Sequence, residues 1–88
     1  MQSRDEIYVN GKWAPSAGDG SIDVVNPSNE AVIGSVPDGT AADVDAAVAA
    51  AKAAFPEWSG RSLEDRLGFI EKLGAGLAAR AEEIGALI

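Results

Sequence analysis

Residues 22–36 read Ile-Asp-Val-Val-Asn-Pro-Ser-Asn-Glu-Ala-Val-Ile-Gly-Ser-Val, and this segment carries the clearest secondary-structure signal in the chain. Its two arms alternate in the period of two that is typical of a strand with one buried face. Between the arms, Pro27 fixes its own φ and keeps the preceding residue extended, so the chain is expected to double back there. The segment therefore predicts a β-hairpin, whose inner face would carry Ile22, Val24, Val32, Gly34 and Val36.

A smaller hairpin is predicted before this one. Residues 7–9 are Ile-Tyr-Val, and Asn10 with Gly11 favours a type I′ turn because both positions tolerate a positive φ. Trp13 lies on the returning strand and is expected to cover a small apolar patch near the turn. Residues 14–20 contain proline, serine, glycine and aspartate, and this composition indicates a loop between the two hairpins.

A first helix is predicted after the hairpins. Thr40 and Asp43 have the spacing of a shortened capping box, in which each side chain bonds the other residue's backbone N–H. Pro56 is expected to end this helix at Phe55, and residues 57–61 are expected to form a connection. The apolar residues that share one stripe of the helix are Val44, Val48, Ala51 and Phe55.

A second helix is predicted from Ser62, which with Asp65 repeats the capping pattern. Four glycines lie in the helical pattern, and each costs about 1 kcal/mol relative to alanine. A break is therefore expected near residues 78–80, with a short third helix after it. The sequence ends on apolar residues in helical phase, from which we expect the chain to be truncated. The apolar stripe consists of Leu67, Ile70, Leu73, Leu77, Ile84 and Leu87 or Ile88.

Composition restricts the possible partners and chemistry. Fourteen acidic residues against seven basic ones give a net charge of −7 in 88 residues, which opposes binding to nucleic acid or to an anionic membrane. No apolar run approaches the roughly 20 residues that span a bilayer, and the first residues lack the apolar core of a secretion signal. We therefore expect a cytoplasmic protein. The absence of cysteine and histidine removes the usual nucleophile, general base and metal ligands.

The remaining polar residues do not suggest a catalytic or cofactor-binding site. The Gly74-Ala75-Gly76 segment lies within the second predicted helix and does not follow a strand, as a dinucleotide-binding turn must. Neighbouring carboxylates at helix starts or on polar helical faces are routinely solvated, and the lysines look like surface charges. The carboxylate pairs are Asp43 with Asp45, Glu64 with Asp65, and Glu82 with Glu83, and the lysines are Lys12, Lys52 and Lys72.

The order of these segments resembles the amino-terminal end of the aldehyde dehydrogenases. The resemblance covers residues 7–88 and departs from the family pattern at Glu30, where many relatives would carry a glycine in the hairpin turn. The features that carry it are Tyr-Val-Asn-Gly-Lys-Trp, the Asn-Pro hairpin, Asp-Val-Asp-Ala-Ala-Val, Ala-Ala-Phe-Pro-Glu-Trp and an amphipathic helix containing Arg66.

The resemblance implies an α/β fold in which two amino-terminal β-hairpins are followed by two or three α-helices. Residues 1–88 would be the amino-terminal part of the cofactor-binding domain, without the catalytic domain. The intact enzyme would be a homodimer or homotetramer that oxidises an aldehyde to a carboxylic acid with NAD or NADP. The family's catalytic cysteine, glutamate and asparagine lie beyond the matched region, so this piece alone is expected to be inactive and to bind no cofactor.

One family site falls inside the matched region. Several aldehyde dehydrogenases bind a monovalent cation through main-chain carbonyls just before the Asn-Pro turn, and the corresponding residues are Val24 and Val25. Two carbonyl oxygens are suitable donors but are too few to complete a coordination shell. The resemblance thus implies a metal site at these two residues that is completed by ligands from later in the family's chains, and the alternative is that both are ordinary strand residues.

Two other classes of protein remain open on the sequence. A free-standing, non-catalytic interaction module would use the apolar side formed by Leu87 and Ile88 as its docking surface. A small acidic carrier protein would take a phosphopantetheine arm on Ser62. The carrier class requires an aspartate in place of Arg61, and it has no position for two amino-terminal hairpins.

Overall fold

The computed structural model describes residues 3–88 and contains four β-strands followed by three α-helices. The predicted order of two hairpins leading into helices is confirmed. The chain divides into two compact units, one that ends at Ala54 and one that extends from Phe55 to Ile88. The elements are β1 (Glu6–Val9), β2 (Lys12–Pro15), β3 (Ser21–Val25), β4 (Val32–Pro37), α1 (Ala41–Gly60), α2 (Leu63–Ala79) and α3 (Ala81–Leu87).

The first hairpin pairs β1 with β2 through the predicted turn. Asn10 and Gly11 both have positive φ values, of 55° and 76°, as a type I′ turn requires. Strand β2 continues to Pro15, so the loop begins after residue 15 and not at residue 14 as predicted. Pro15 is tolerated because it is the last residue of a strand that pairs on one side only.

Trp13 contacts an apolar neighbour near the turn, as expected, but 52% of its own surface stays exposed. Its ring meets the edge of Tyr8 across the hairpin, with 5.2 Å between centroids, and the Arg4 guanidinium lies 5.4 Å from the indole centroid. A two-stranded sheet provides only this cross-strand partner. The apolar patch consists of the two rings themselves, and both remain open to solvent.

The second hairpin pairs β3 with β4 antiparallel, as the predicted hairpin requires. Val24 lies opposite Gly34, whereas Val25 lies opposite Val32, so Ile33 is an extra residue that forms a β-bulge. Gly34 is buried, while the valines and isoleucines of both strands stay largely exposed. The predicted hairpin is confirmed, but the single inner face is not: the bulge places Val32 opposite Val25, on the other side from Val24 and Gly34, and the apolar residues of both strands remain exposed.

Helix α1 is capped as predicted but ends later. The Asp43 carboxylate accepts from the Thr40 N–H at 2.9 Å, and the Asp43 N–H donates to Thr40 Oγ1 at 3.3 Å. The prediction that the helix stops at Phe55 is wrong, because α1 passes through Pro56 and continues to Gly60. A proline removes one N–H donor and disfavours the α conformation before it, but the other hydrogen bonds of a long helix continue on both sides.

The two later helices agree closely with prediction. Ser62 Oγ accepts from the Asp65 N–H at 3.1 Å and caps α2. The break falls at Arg80, whose N–H donates to Leu77 O at 3.2 Å and whose guanidinium binds the Glu83 carboxylate at 2.6 and 2.8 Å. The predicted connection before α2 is shorter than expected, since Arg61 and Ser62 alone separate it from α1.

No apolar side chain is buried among residues 3–88. An isolated two-stranded hairpin is marginally stable in water, and helices of this length draw most of their stability from packing. The chain thus carries correctly formed local elements without a closed hydrophobic core.

Candidate functional site

The two residues implied as cation ligands lie at the end of β3, beside the bulge. The register shift occurs between Val24 and Val25, where the partner strand contributes the extra residue Ile33. A bulge disrupts the regular ladder and redirects the groups next to it. The extra residue belongs to β4, so the ladder beside Val24 and Val25 is interrupted on its β4 side. Two carbonyl oxygens leave the coordination shell incomplete.

The turn that follows is held by Asn26. The Asn26 carbonyl accepts from the Glu30 N–H at 2.7 Å, the Asn26 N–H donates to Ala31 O at 2.8 Å, and Asn26 Oδ1 accepts from the Ser28 N–H at 2.9 Å. Glu30 has a φ of 62°, in the left-handed region that glycine adopts most easily. The turn thus places a left-handed residue at this position, and this chain uses a glutamate there.

The densest polar cluster lies where the β2–β3 loop meets the start of α1, and it is centred on the half-buried Asp43. Its carboxylate accepts from the Ser16 hydroxyl, from the Ala17 N–H at 2.8 Å and from the Thr40 N–H at 2.9 Å. The hydrogen bond from Ser16, followed by those from Ala17 and Thr40, lowers the pKa of Asp43 from 3.8 to about 2. Asp43 therefore holds the loop against the helix as an acceptor that is ionised near neutral pH.

This cluster has a structural role. Its members are a carboxylate, a hydroxyl and backbone amides, and the low pKa of Asp43 makes it a poor proton acceptor near neutral pH. The capping interaction with Thr40 was visible in the sequence. The bonds from Ser16 and Ala17 were not, because they connect residues from distant parts of the chain and have no spacing signature.

Two other carboxylates form ion pairs with arginines close to them in the sequence. Glu83 binds Arg80, and this partner lowers the pKa of Glu83 and raises that of Arg80. Glu57 binds Arg61 at 2.7 Å on the surface. Gly74 and Gly76 lie inside α2 and do not follow a strand, so this segment lacks the strand-to-helix context of a dinucleotide-binding turn.

The described part of the chain contains neither a side-chain metal cluster nor a membrane-spanning helix. Within residues 3–88, no three His, Cys, Asp or Glu side chains come close enough together to bind a metal ion. None of the described helices combines the length and apolar character needed to cross a membrane.

Comparison with known proteins places the chain in a family. The profile of the aldehyde dehydrogenase family matches residues 13–88. The chain therefore belongs to the aldehyde dehydrogenase family, and its two hairpins and three helices are the amino-terminal part of that fold.

Individual relatives agree with this assignment. The chain is 45% identical over 82 residues to the lactaldehyde dehydrogenase of Escherichia coli (strain K12). The aligned region covers 93% of this chain and 17% of that protein. The chain is 37% identical over 84 residues to the N-succinylglutamate 5-semialdehyde dehydrogenase of Pseudomonas fluorescens (strain Pf0-1), covering 96% of this chain and 17% of that protein.

A solved structure gives the same result in three dimensions. A mutant aldehyde dehydrogenase C from Pseudomonas syringae, in a complex with NAD+ and octanal, superposes with a TM-score of 0.87 at 46% identity. The match covers 90% of this chain and 16% of that one. The chain thus spans less than a fifth of the length of the relatives it matches.

Proposed function

We propose that this chain is the amino-terminal part of the cofactor-binding domain of an NAD(P)-dependent aldehyde dehydrogenase. The observation that carries the proposal is the superposition of nearly the whole chain on a small part of an enzyme that holds NAD+ and an aldehyde. The intact enzyme would convert an aldehyde, water and NAD(P)+ into a carboxylic acid, NAD(P)H and a proton. The bound nicotinamide would supply the hydride acceptor for that reaction.

In this proposal the 88 residues act as a frame. The Asp43 cluster fixes the loop after the first hairpin to the start of α1, and the Ser62 cap fixes the start of α2. With neither cysteine nor histidine, and with no dinucleotide-binding turn among the described residues, the piece itself is expected to be inactive. The reactive groups would come from the remainder of the parent chain.

Three further properties belong to the proposal through the family resemblance. The parent would assemble as a homodimer or homotetramer, would be cytoplasmic, and would bind a monovalent cation through the carbonyls of Val24 and Val25. The bulge beside those two residues supports the cation site. Light scattering, cell fractionation, and comparison of the parent's melting temperature in potassium, sodium and choline salts test these properties in turn.

The activity is tested on the longer protein encoded by the same reading frame. We expect the purified parent to reduce NAD+ or NADP+ with at least one of lactaldehyde, octanal and a dicarboxylic semialdehyde, measured by the absorbance of the reduced cofactor. The 88-residue chain, assayed alongside, is expected to give no turnover. A reading frame that stops after Ile88, or a parent that binds neither cofactor, would overturn the proposal and leave the interaction module as the better description.

A further inference from the structure

Helix α2 carries one charged side chain within its apolar face. Arg66 precedes Ile70 by four residues and Leu73 by seven, so all three lie on the same side of the helix. Leu77 continues the same side one turn further on. The acidic residue Glu71 and the basic residue Lys72 project from other sides and are exposed. Arg66 is thus surrounded by apolar neighbours rather than placed on the polar side of the helix.

The guanidinium of Arg66 is already partly withdrawn from water. Its Nε is shielded from solvent and has no hydrogen-bond partner among residues 3–88. A solvated surface arginine keeps its charged end in water and leaves only its alkyl stem on apolar surface. Leaving a desolvated charged donor without an acceptor is unfavourable, because the hydrogen bond to water has been lost and nothing replaces it.

The apolar face around Arg66 is open. Ile70 and Leu73 are each 58% exposed, and Leu77 is 53% exposed. The relatives matched by this chain are so much longer that it covers only 16% to 18% of their lengths. If the proposed function is right, more than four-fifths of the parent chain lies outside these 88 residues. That remainder is long enough to cover the face.

From the unpartnered Nε and the open apolar face around it, we propose that a segment of the parent chain outside residues 1–88 packs on α2 and places a carboxylate against Arg66. This inference rests on the proposed function, because it takes its occupant from the parent enzyme. The segment is apolar around a single acidic side chain, since Ile70, Leu73 and Leu77 require apolar contacts while the arginine fork matches a carboxylate. Arg66 therefore fixes the position of the covering segment.

The direction of the effect of an apolar substitution tests the inference. In the parent protein, Arg66→Met retains the unbranched stem as far as the position of Nε, removes the charge and matches the apolar face. If a carboxylate faces this position, the variant leaves that carboxylate buried without a partner, and we expect the melting temperature to fall by about 5 °C or more. If Nε is satisfied by water or needs no partner, methionine will be neutral or stabilising, and that result would overturn the inference.

Two matched variants complete the experiment. Lys72→Met makes the same kind of substitution on another side of α2 and is expected to change the melting temperature by about 1 °C or less. Arg66→Lys retains the charge but loses the planar fork, and it should fall between the parent and Arg66→Met. Should Arg66→Met yield no soluble protein, Arg66→Lys carries the test, and a melting temperature equal to the parent's would then count against the inference.

A second-site experiment identifies the acceptor. In the Arg66→Met background, Asp→Asn and Glu→Gln substitutions in the parent's remaining chain should include one that restores most of the lost melting temperature, because it neutralises the stranded carboxylate. If none restores it, the acceptor is not a carboxylate and the inference is wrong. Aldehyde oxidation by the unmodified parent is measured separately. If the parent is inactive but Arg66→Met lowers its melting temperature, only the proposed function is contradicted. If the parent is active and Arg66→Met leaves its melting temperature unchanged, only this inference is contradicted.

Discussion

Glu30 is the clearest case in this chain of a side chain in a conformation that disfavours it. Its φ of 62° places Cβ in the crowded left-handed region, which costs roughly 1–2 kcal/mol for a residue with a side chain. The hairpin forms because the Asn26 hydrogen bonds hold the turn closed in spite of this cost.

Replacement of Glu30 by glycine is expected to stabilise the hairpin. Glu30→Gly relieves the backbone cost but gives the unfolded chain more freedom, so we expect a net gain of about 0.5–1 kcal/mol in the free energy of unfolding. Urea denaturation of the parent or of the 88-residue chain measures it. Ser28→Gly, in the same turn but without a positive φ, is the control and should be slightly destabilising. Equal effects of the two substitutions would contradict the explanation from backbone conformation.

Asp43 should give the fold an acid-sensitive connection. Its pKa of about 2 in the folded chain is below the ordinary 3.8, so the stability it contributes is fully present above about pH 4 and is lost as the pH falls towards 2. Urea midpoints measured from about pH 6 down to below pH 2 should show Asp43→Asn less stable than the unmodified sequence at the upper end, with a difference that shrinks as the pH falls. Asp45→Asn, a carboxylate from the same helical turn, is the control. If the difference in urea midpoint between Asp43→Asn and the unmodified sequence does not change with pH, ionisation of Asp43 is not its cause.

Helix α1 shows how a local rule is overridden. Pro56 was expected to end it at Phe55, yet the helix continues to Gly60. The proline still removes a backbone donor and crowds the preceding turn, which costs roughly 3 kcal/mol in a helix interior. The division of the chain into two compact units falls immediately before Phe55, next to this weak point.

Pro56→Ala is expected to strengthen α1. Restoring the donor should raise the helical circular dichroism signal of the 88-residue chain, and it should raise the free energy of unfolding of the parent by about 1–3 kcal/mol. Gly68→Ala, in α2, calibrates the assay, since its Cβ would meet no neighbouring atom and the substitution should add about 1 kcal/mol. A Pro56→Ala variant with unchanged helix content would show that the proline does not weaken the helix.

The elements that could be predicted are those whose signals are local. The Asn10-Gly11 turn, the Thr40 and Ser62 caps and the break at Arg80 are each defined by neighbouring residues, and each is present. The features that could not be predicted depend on distant residues or on cooperativity. Ser16 donates a hydrogen bond to Asp43, although the whole second hairpin lies between them in the sequence. In α1, the remaining backbone hydrogen bonds maintain the helix in spite of one proline. The Val24 and Val25 site stays a prediction, because its remaining ligands would come from other parts of the parent.

The whole chain combines well-formed elements with apolar surfaces that it does not cover. No apolar side chain is buried among residues 3–88, and the face of α2 that carries Ile70 and Leu73 is more than half exposed. Exposed apolar area of this extent marks a surface that is covered by another segment or another molecule. The low burial is explained if this part of the fold is stable only within a larger protein.

The isolated 88-residue chain should therefore bind a hydrophobic dye or self-associate. We expect enhanced fluorescence of anilinonaphthalene sulfonate and a broad thermal transition, as for states with formed helices and open apolar surface. Leu73→Gln should reduce dye binding, whereas Lys72→Gln, on another side of α2, should not. A monomer that melts sharply without binding the dye would contradict this description.

The corner between α1 and α2 also bears on the order in which the protein is built. The edge of the Trp58 ring meets Phe69 with 5.5 Å between centroids, and Arg61 lies 5.1 Å from the Phe69 centroid and binds Glu57. All these partners are close together in the sequence, and contacts of short sequence separation form fastest during folding. In the parent enzyme proposed above, this aromatic corner would form on the ribosome before any later segment had left the exit tunnel, so the nascent chain would meet those segments with the corner already in place.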